Sequence, residues 1–330
     1  MSVFITSPSR LHFALIDLNG DLGRVDGGIG VALNEPSLLI EVSAVDKEEG
    51  NPEAVIPVLE QIRSRIEPAL TANYHVKLLK KLPSHAGLGS KTQLSLCVAK
   101  AISVLENRNY SAVELAKLVG RGGTSGIGTA AFENGGFILD GGHVFRKTES
   151  TKGMEIKTSF LPSSASNVAP PPVLFQHPLP EDWFFIVAIP DVMRGAHGSD
   201  EIEIFKRYCP IEKGEVEKIS RIVLMQILPS VLERDINTFA GALTTLQGIG
   251  FKRIETELQH SLIKELFLFF ADRALGHGMS SFGPATYAIV RGGKRAKALA
   301  ESTREFFSER HVRALVSYSN ANTGGSGVRD

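Results

Sequence analysis

The alternation of hydrophobic and polar residues along the chain predicts a mixture of strands and helices. Residues 2–6 and 10–18 alternate with a period of two, and so do residues 76–80, so each run predicts a strand. Apolar residues at helical spacing predict amphipathic helices over 53–66 and 94–105. The first part of the chain is therefore expected to be α/β.

The remainder of the chain continues the same mixture. Helices are predicted at 111–119, 215–232, 235–247, 260–275 and 294–307, and strands at 184–189, 286–290 and 312–318. Ser111-Ala112-Val113-Glu114 has the form of a capping box, which places a helix start there. The polar, glycine-rich tail at 320–330 is predicted to fray.

The length of 330 residues favours two domains. A stretch rich in proline and serine interrupts the periodic pattern at 156–182 and is interpreted as a linker or a flap. The predicted domains are 1–155 and 183–330.

Composition narrows the class of protein. Lys+Arg and Asp+Glu are both 36, so no overall charge favours nucleic acid or an acidic membrane. Two cysteines far apart in sequence favour a reducing cytoplasm without a metal cluster. The first residues lack the pattern of a signal peptide, and no apolar run is long enough to span a bilayer. The protein is expected to be cytoplasmic.

A glycine-rich loop at 82–93 joins a predicted strand to a predicted helix. Such a loop directs backbone N–H groups and the positive helix end at one point, which suits a phosphate or pyrophosphate. Ser90 separates Gly89 from Lys91, so the loop is not a P-loop. A flexible loop at an ordinary helix start is the alternative.

Two further loops have similar chemistry. Residues 120–133 form a glycine-rich segment that enters a helix and indicates a second anion site, with a flexible connector as the alternative. Residues 278–286 form a third loop of small residues that runs into a strand. The phosphate-binding residues expected from the first two loops are Gly87, Leu88, Gly89, Ser90, Lys91, Thr92, Arg121, Gly123, Thr124 and Ser125.

Charged residues are set among glycines near the start of the chain. Arg10 and His12 share one face of the predicted strand, and Asp17, Arg24 and Asp26 follow in a loop with five glycines. Without other information, turn chemistry and a solvated salt bridge account for the residues of the loop.

Three loops in this order resemble the GHMP kinase superfamily over nearly the whole chain. The resemblance implies a ribosomal-protein-S5-like N-terminal domain, a ferredoxin-like C-terminal domain and a ligand cleft between them. Kinases of this group usually carry a catalytic aspartate two residues after a Ser-Gly, whereas here Ser125-Gly126-Ile127 is followed by Gly128. ATP-dependent phosphoryl transfer is therefore not favoured.

Longer strings resemble one branch more closely. Arg10-Leu11-His12-Phe13, Ile16-Asp17-Leu18-Asn19-Gly20, Gly23-Arg24-Val25-Asp26-Gly27-Gly28 and 120–128 are similar to beta-ribofuranosylaminobenzene 5'-phosphate synthases. That family implies the joining of phosphoribosyl pyrophosphate to p-aminobenzoate, or to 4-hydroxybenzoate, with release of carbon dioxide and pyrophosphate. The product is a C-riboside for methanopterin biosynthesis.

The resemblance assigns roles to the conspicuous residues. The expected catalytic residues are Asp17, Asp26, Arg24, Arg10 and His12, and the expected cleft residues are Arg194, Ser281 and Gly283. Asp17 or Asp26 is expected to hold Mg²⁺ or to face the cationic sugar. Arg10, Arg24 and Arg194 are the options for the aromatic carboxylate. The sequence does not assign each phosphate to a loop.

Two other functions remain open on the sequence alone. One is an ATP-dependent small-molecule kinase that uses Asp17 or Asp140 in place of the missing aspartate. The other is a ligand-binding relative without catalysis. In every case the expected partners are small molecules and a second copy of the chain, with no nucleic acid and no membrane.

Overall fold

The computed structural model describes residues 2–46, 50–66, 69–146, 156–162, 165–166, 168–192 and 199–329. Arg194, one of the three expected cleft residues, lies outside the described residues.

The first sheet is built on a long antiparallel pair. Strands β1 (Ser2–Asp17) and β2 (Arg24–Val45) run side by side from Ser2 opposite Ser43 to Asp17 opposite Asp26. The other strands of this sheet are β3 (Asn73–Lys80), β4 (Phe137–Asp140), β5 (His143–Val144), β6 (Val173–His177) and β11 (Gly327–Arg329). Its main path is β11-β1-β2-β4-β6, and β3 and β5 also pair with β2.

The second sheet has the strand order expected of a ferredoxin-like domain. Its strands are β7 (Trp183–Pro190), β8 (Gly276–Met279), β9 (Thr286–Arg291) and β10 (Ala314–Asn320), in the spatial order β10-β7-β9-β8. Numbered within the sheet, this order is 4-1-3-2, and all its neighbours are antiparallel.

Helices cover the sheets and fill the connection between β7 and β8. Those of the first part are α1 (Ile56–Arg65), α2 (Ser90–Leu105), α3 (Ala112–Leu118) and α4 (Ile127–Glu133). Those of the second part are α5 (Ser199–Tyr208), α6 (Lys213–Ile222), α7 (Leu228–Glu233), α8 (Ile236–Leu246), α9 (Gly250–Glu257), α10 (Ser261–Ala271) and α11 (Gly293–Glu309). The capping box at Ser111 is confirmed, and a π-helical turn, Val223–Ile227, divides the helix predicted over 215–232.

One apolar cluster is common to both sheets. Phe13 of β1 lies with its ring centroid 5.2 Å from that of Tyr287 of β9 and 6.3 Å from that of Phe239 of α8. Phe137 of β4 is 5.8 Å from the same Phe239 ring. Trp183, fully buried, completes this shared core.

The strand pairing differs at two places from the predicted boundaries of the linker and the tail. Val173–His177, inside the range predicted as linker or flap, forms β6 and pairs with β4. Residues 327–329, inside the tail predicted to fray, form β11 and pair with β1. In both cases an exposed sheet edge supplies backbone partners that the local sequence does not reveal. The other boundaries stay predictions.

Within the described ranges, no helix is both long enough and apolar enough to cross a membrane.

Candidate functional site

The first glycine-rich loop leads directly into helix α2. Gly89 is the N-cap residue, has a φ of +77°, and has no side-chain cap. The N–H groups of the first turn are therefore directed beyond the helix end without a capping side chain, as an anion site requires. Ser90, Lys91 and Thr92 occupy that turn and line the adjacent cavity.

Strand β1 brings Arg10 and His12 to the same loop. The backbone N–H of Arg10 donates to the carbonyl of Leu88 over 3.1 Å, and its guanidinium donates to the carbonyl of Gly87. Burial lowers the pKa of Arg10 to about 10, against the opposing effect of Glu201 and Glu255, so the side chain stays charged at neutral pH.

His12 is buried at the cavity with an unusual hydrogen-bonding state. Its side chain is 6 % exposed, and neither ring nitrogen has a hydrogen-bond partner. Burial, together with the positive charges of Arg10 and Lys252, holds its pKa well below the ordinary value. The imidazole is therefore neutral at pH 7, with one donor and one acceptor unpaired.

The second glycine-rich loop is held by hydrogen bonds to Asp140 and to the carbonyl of Leu161. The carboxylate of Asp140 accepts from the N–H of Gly126 over 2.9 Å, and burial raises the pKa of this group to about 6. Thr124 donates through Oγ1 to the carbonyl of Leu161 over 2.6 Å. Arg121 lines the cavity with its Nε buried and unpaired, and burial lowers its pKa.

The third loop packs against the first loop and strand β1. Ser280 donates through Oγ to the carbonyl of Gly87 over 2.5 Å, and the N–H of Ser281 donates to the carbonyl of His12 over 3.0 Å. Ser281 has a φ of +51° and lines the cavity.

These elements enclose a cavity of about 250 Å³. Its walls are Arg10, His12, Leu15, His85, Gly87, Gly89, Ser90, Lys91, Thr92, Arg121, Thr124, Ser125, Pro162, Glu201, Phe205, Glu255, Ser281 and Phe282. Phe205 and Phe282 belong to one aromatic cluster, since the ring of Phe251 lies 4.6 Å from the first and 5.7 Å from the second. The cavity wall therefore combines an aromatic cluster with donors suited to anions.

The structure brings most of the predicted residues into this one cavity. Three predicted residues lie in the loops without lining the cavity. Leu88 is fully buried, Gly123 packs against Ser166, and Gly283 packs against Met279.

Asp26 and Arg24 are not among the residues that line the cavity. Asp26 is 1 % exposed, and its carboxylate lies 2.8 Å from Nζ of Lys157 and 2.6 Å from Nδ1 of His143. Arg24 donates to the carbonyls of Gly141 and Gly142 on the neighbouring strand connection. These contacts are structural, and the catalytic and metal-binding roles expected for Asp26 and Arg24 stay predictions.

Asp17 lies beside the cavity, not in its wall. Its Oδ1 accepts from the N–H groups of Asn19 over 2.8 Å and Gly20 over 3.0 Å, which is turn chemistry. Leu15, two residues earlier on the same face of β1, does line the cavity. Asp17 is about 7 Å from Leu15 along the strand. The catalytic role of Asp17 stays a prediction.

The sequence patterns did not predict the acidic residues of the cavity. Glu201 lies in the first turn of α5, where acidic residues are ordinary, and Glu255 has the i,i+3 spacing to Lys252 of a surface ion pair. Both nevertheless line the cavity, and Glu255 is 5 % exposed. Their location depends on packing of α5 and α9, which no local pattern reveals.

Gly128 occupies the place of the kinase aspartate. It lies in α4, and a Cβ there would come within 3.1 Å of Cγ2 of Thr92. Its carbonyl accepts from Nε2 of Gln93 over 2.9 Å. Helices α2 and α4 are therefore packed too closely at this point for an aspartate to be added without movement of Thr92.

Comparison with known proteins identifies the fold of the chain. Residues 53–136 match the family model described as the GHMP kinases N terminal domain. Homoserine kinase from Cytophaga hutchinsonii has a TM-score of 0.67 at 17 % identity, covering 99 % of this chain and 97 % of that structure. A mevalonate kinase structure has a TM-score of 0.63 at 13 % identity, covering 97 % and 99 % of the two chains. These likenesses confirm the two-domain α/β fold of the GHMP kinases.

Sequence relatives are much closer. Beta-ribofuranosylphenol 5'-phosphate synthase from Methanothermobacter thermautotrophicus is 44 % identical over 315 residues, which cover 91 % of this chain and 93 % of the relative. The protein of the same name from Methanocaldococcus jannaschii is 40 % identical over 340 residues, which cover 98 % and 99 %. The chain is thus an enzyme of the pentosyltransferase class, and it belongs to the beta-ribofuranosylphenol 5'-phosphate synthase family.

Proposed function

We propose that this enzyme joins phosphoribosyl pyrophosphate to 4-hydroxybenzoate, with release of carbon dioxide and pyrophosphate, to form a C-riboside for methanopterin biosynthesis. The proposal depends chiefly on one cavity that combines two anion-binding loops with an aromatic wall. The relatives are named for a ribofuranosylphenol product. Loss of the carboxylate from 4-hydroxybenzoate gives a phenol, whereas p-aminobenzoate would give an aniline.

The two loops suit the two phosphate groups of the sugar substrate. We assign the pyrophosphate to the start of α2, where uncapped N–H groups and Lys91 meet, and the 5'-phosphate to the loop of Arg121 and Ser125. Fixed donors at the pyrophosphate stabilise the negative charge that develops on it as it leaves.

The apolar wall suits the aromatic acid. Phe205, Phe282 and Leu15 offer a surface for the ring. The guanidinium of Arg10, which also lines the cavity, is proposed to bind its carboxylate.

The reaction balances without a redox partner. The ring carbon that carries the carboxylate forms a bond to the anomeric carbon of the sugar. The bond from the anomeric carbon to the pyrophosphate oxygen breaks. The bond to the carboxylate then breaks, and its electron pair restores the aromatic ring as carbon dioxide leaves. The protein is required to position the two substrates and to stabilise charge at the pyrophosphate and the sugar.

Magnesium is proposed to bind together with the pyrophosphate, whose negative charge it would help to neutralise. Asp26 does not fit the role of a Mg²⁺ ligand because Lys157 and His143 already occupy its carboxylate, and Asp17 is engaged by backbone N–H groups. In the part of the chain that the structure describes, no group of three acidic or histidine side chains is arranged to hold a metal. We therefore assign no step to a protein-bound ion.

An ATP-dependent kinase is disfavoured by the same geometry. Gly128 supplies no carboxylate, and Asp140 is committed to the N–H groups of Gly126 and Gly142.

The direct test uses phosphoribosyl pyrophosphate, Mg²⁺ and 4-hydroxybenzoate labelled with ¹⁴C in its carboxyl group. We expect carbon dioxide and pyrophosphate to be released in equal amounts, faster than with p-aminobenzoate. Steady release of ADP from ATP in the presence of a sugar or alcohol, without carbon dioxide release, would replace the proposal with the kinase. Homodimer formation and a cytoplasmic location also remain proposals, and sedimentation equilibrium tests the first.

A further inference from the structure

Two carboxylates on the cavity wall have no role in the function proposed above. Glu201 comes from α5 and Glu255 from α9, and both line the cavity together with Arg10. The two carboxylates raise the pKa of Arg10, and Glu255 raises the pKa of Glu201. We propose that Glu201, supported by Glu255, accepts hydrogen bonds from the vicinal hydroxyl groups of the ribose ring. This inference rests on the proposed function, because it assumes that a ribose phosphate occupies the cavity.

The hydrogen-bonding inventory of the cavity motivates the assignment. Arg10, Lys91 and Arg121 are donors only, and they match phosphate and carboxylate oxygens, which at neutral pH mainly accept. The ring hydroxyls of a ribose phosphate are different, since they have protons to donate. Among the lining side chains, ionised carboxylates are the strongest acceptors for such protons, and a carboxylate is a known partner of a ribose hydroxyl in other folds.

The unpaired state of His12 is an independent sign that a ligand with donors belongs here. Both of its ring nitrogens are buried without a partner, and the ring lines the same cavity as Glu201 and Glu255. A buried polar group without a partner is costly, so a ligand that satisfies it is expected. A neutral imidazole can accept from a hydroxyl group, which phosphate oxygens cannot provide at neutral pH.

The surrounding charges favour a neutral donor over a metal ion. Lys252 forms an ion pair with Glu255, and its Nζ also donates to the carbonyl of Ser281 over 3.2 Å. Burial and the neighbouring Glu255 raise the pKa of Glu201 to about 7, against the opposing effects of Arg10 and Lys91, so its carboxylate is mostly ionised at pH 8. A divalent cation would therefore meet carboxylates that already have cationic neighbours, whereas a hydroxyl group adds no charge.

The test compares ribose 5-phosphate with 2-deoxyribose 5-phosphate, which lacks one of the two hydroxyls. Isothermal calorimetry at pH 8 on the wild-type chain is expected to show at least tenfold tighter binding of ribose 5-phosphate, since a hydrogen bond to a charged group contributes about tenfold to a hundredfold in affinity. Glu201→Gln is expected to reduce this ratio to about threefold or less. Inorganic pyrophosphate should bind to the variant at least as tightly as to the wild type, because the substitution removes a negative charge that interacts with Lys91.

Glu203→Gln is the matched control. Glu203 lies on the same helix, is exposed, and is ion-paired with Lys206 on the surface, so the ribose preference should not change. Glu255→Gln is a second variant that should also reduce the ratio, and its melting curve shows separately whether loss of the partner of Lys252 unfolds the chain.

The outcomes separate the two proposals. A wild-type chain that binds pyrophosphate but does not distinguish the two sugar phosphates overturns the hydroxyl site and leaves the proposed function standing. An unchanged ratio of the affinities for the two sugar phosphates in Glu201→Gln also overturns the hydroxyl site. The same holds if Glu201→Gln loses affinity for Mg²⁺ while this ratio stays the same. A wild-type chain that binds neither pyrophosphate nor ribose 5-phosphate contradicts the proposed function, and the hydroxyl site with it.

Discussion

Lys91 is an exposed cation in the first turn of α2, so its contribution can be separated from that of the backbone. We expect Lys91→Ala to weaken pyrophosphate and phosphoribosyl pyrophosphate about tenfold to a hundredfold, because a charged donor to phosphate contributes about 1.5–3 kcal/mol. Affinity for the aromatic acid should change far less. Calorimetry with each ligand measures both effects.

Lys100→Ala is a suitable control for this change. Lys100 is in the same helix but does not line the cavity, so its removal should leave pyrophosphate binding intact. Equal affinity of wild type and Lys91→Ala for pyrophosphate would mean that the backbone of the loop holds the anion unaided.

Asp17 can be tested because asparagine preserves its turn. The side-chain oxygen of Asn can accept the same bonds from the N–H groups of Asn19 and Gly20, so the melting temperature of Asp17→Asn should be nearly unchanged. If the negative charge stabilises the cationic sugar, turnover should fall by about a hundredfold or more. Measurement of kcat together with a melting curve separates the two effects.

Asp21→Asn serves as the comparison for Asp17. Asp21 forms an exposed salt bridge to Lys213 over 3.0 Å, an interaction that contributes little to stability, so this variant should be almost silent. Retention of most turnover by Asp17→Asn would assign its carboxylate to the turn alone.

At the scale of single residues, the sequence predicted the location of groups whose direction is fixed by their own loop. Ser90, Lys91 and Arg121 reach the cavity because a glycine-rich turn and a helix start fix their direction locally. The ion pair of Asp26 with Lys157 joins residues 131 positions apart, and no local sequence pattern connects the two. Glu201 was missed because nothing in its own helix marks it as facing a cavity.

At the scale of the elements, the first and third loops are in close contact. Gly87 has a φ of +82°, and a Cβ there would lie 2.2 Å from the carbonyl oxygen of Ser280. We expect Gly87→Ala to lower the free energy of unfolding by about 2 kcal/mol or more through strain and overpacking, and to weaken pyrophosphate binding as the loop is displaced. Chemical denaturation and calorimetry measure the two effects.

Gly241→Ala is the control for this substitution. Gly241 lies within α8 with open space around its Cβ position, so alanine should be neutral or stabilising by about 0.5–1 kcal/mol. If Gly87→Ala were as stable as Gly241→Ala and bound pyrophosphate normally, the two loops would not depend on close contact.

Element prediction succeeded where periodicity is strong. The helix after residue 93 and the strands at 184–189 and 286–290 were found, since their apolar faces pack against a sheet. The elements missed include β6 and β11, short edge strands whose formation depends on a distant partner strand, and also helix α9 and strand β8.

For the whole molecule, stability should depend on pH through Asp140. Burial raises its pKa in the folded state to about 6, above the ordinary value of 3.8, so the folded chain holds this proton more tightly than the unfolded chain. The contribution of Asp140 to folding stability should therefore decrease as pH rises from about 4 to 6, by on the order of 3 kcal/mol, and then level off.

A comparison with Asp140→Asn isolates this contribution, because asparagine does not titrate. The stability of the wild type relative to the variant should fall across the same pH range in urea denaturation. A constant difference from pH 4 to 7 would show that the carboxylate keeps its ordinary pKa when folded.

The core shared by the two sheets restricts how ligands can enter. Hinge opening of the two halves would separate Phe13 from Tyr287 and Phe239, and each large apolar side chain exposed in this way costs about 1.5–3 kcal/mol. Domain closure of the kind that brings other transferases around their substrates is therefore too costly to accompany each turnover. Passage of substrates and products then falls to the loops around the cavity, and the radius of gyration in solution should stay the same with pyrophosphate bound.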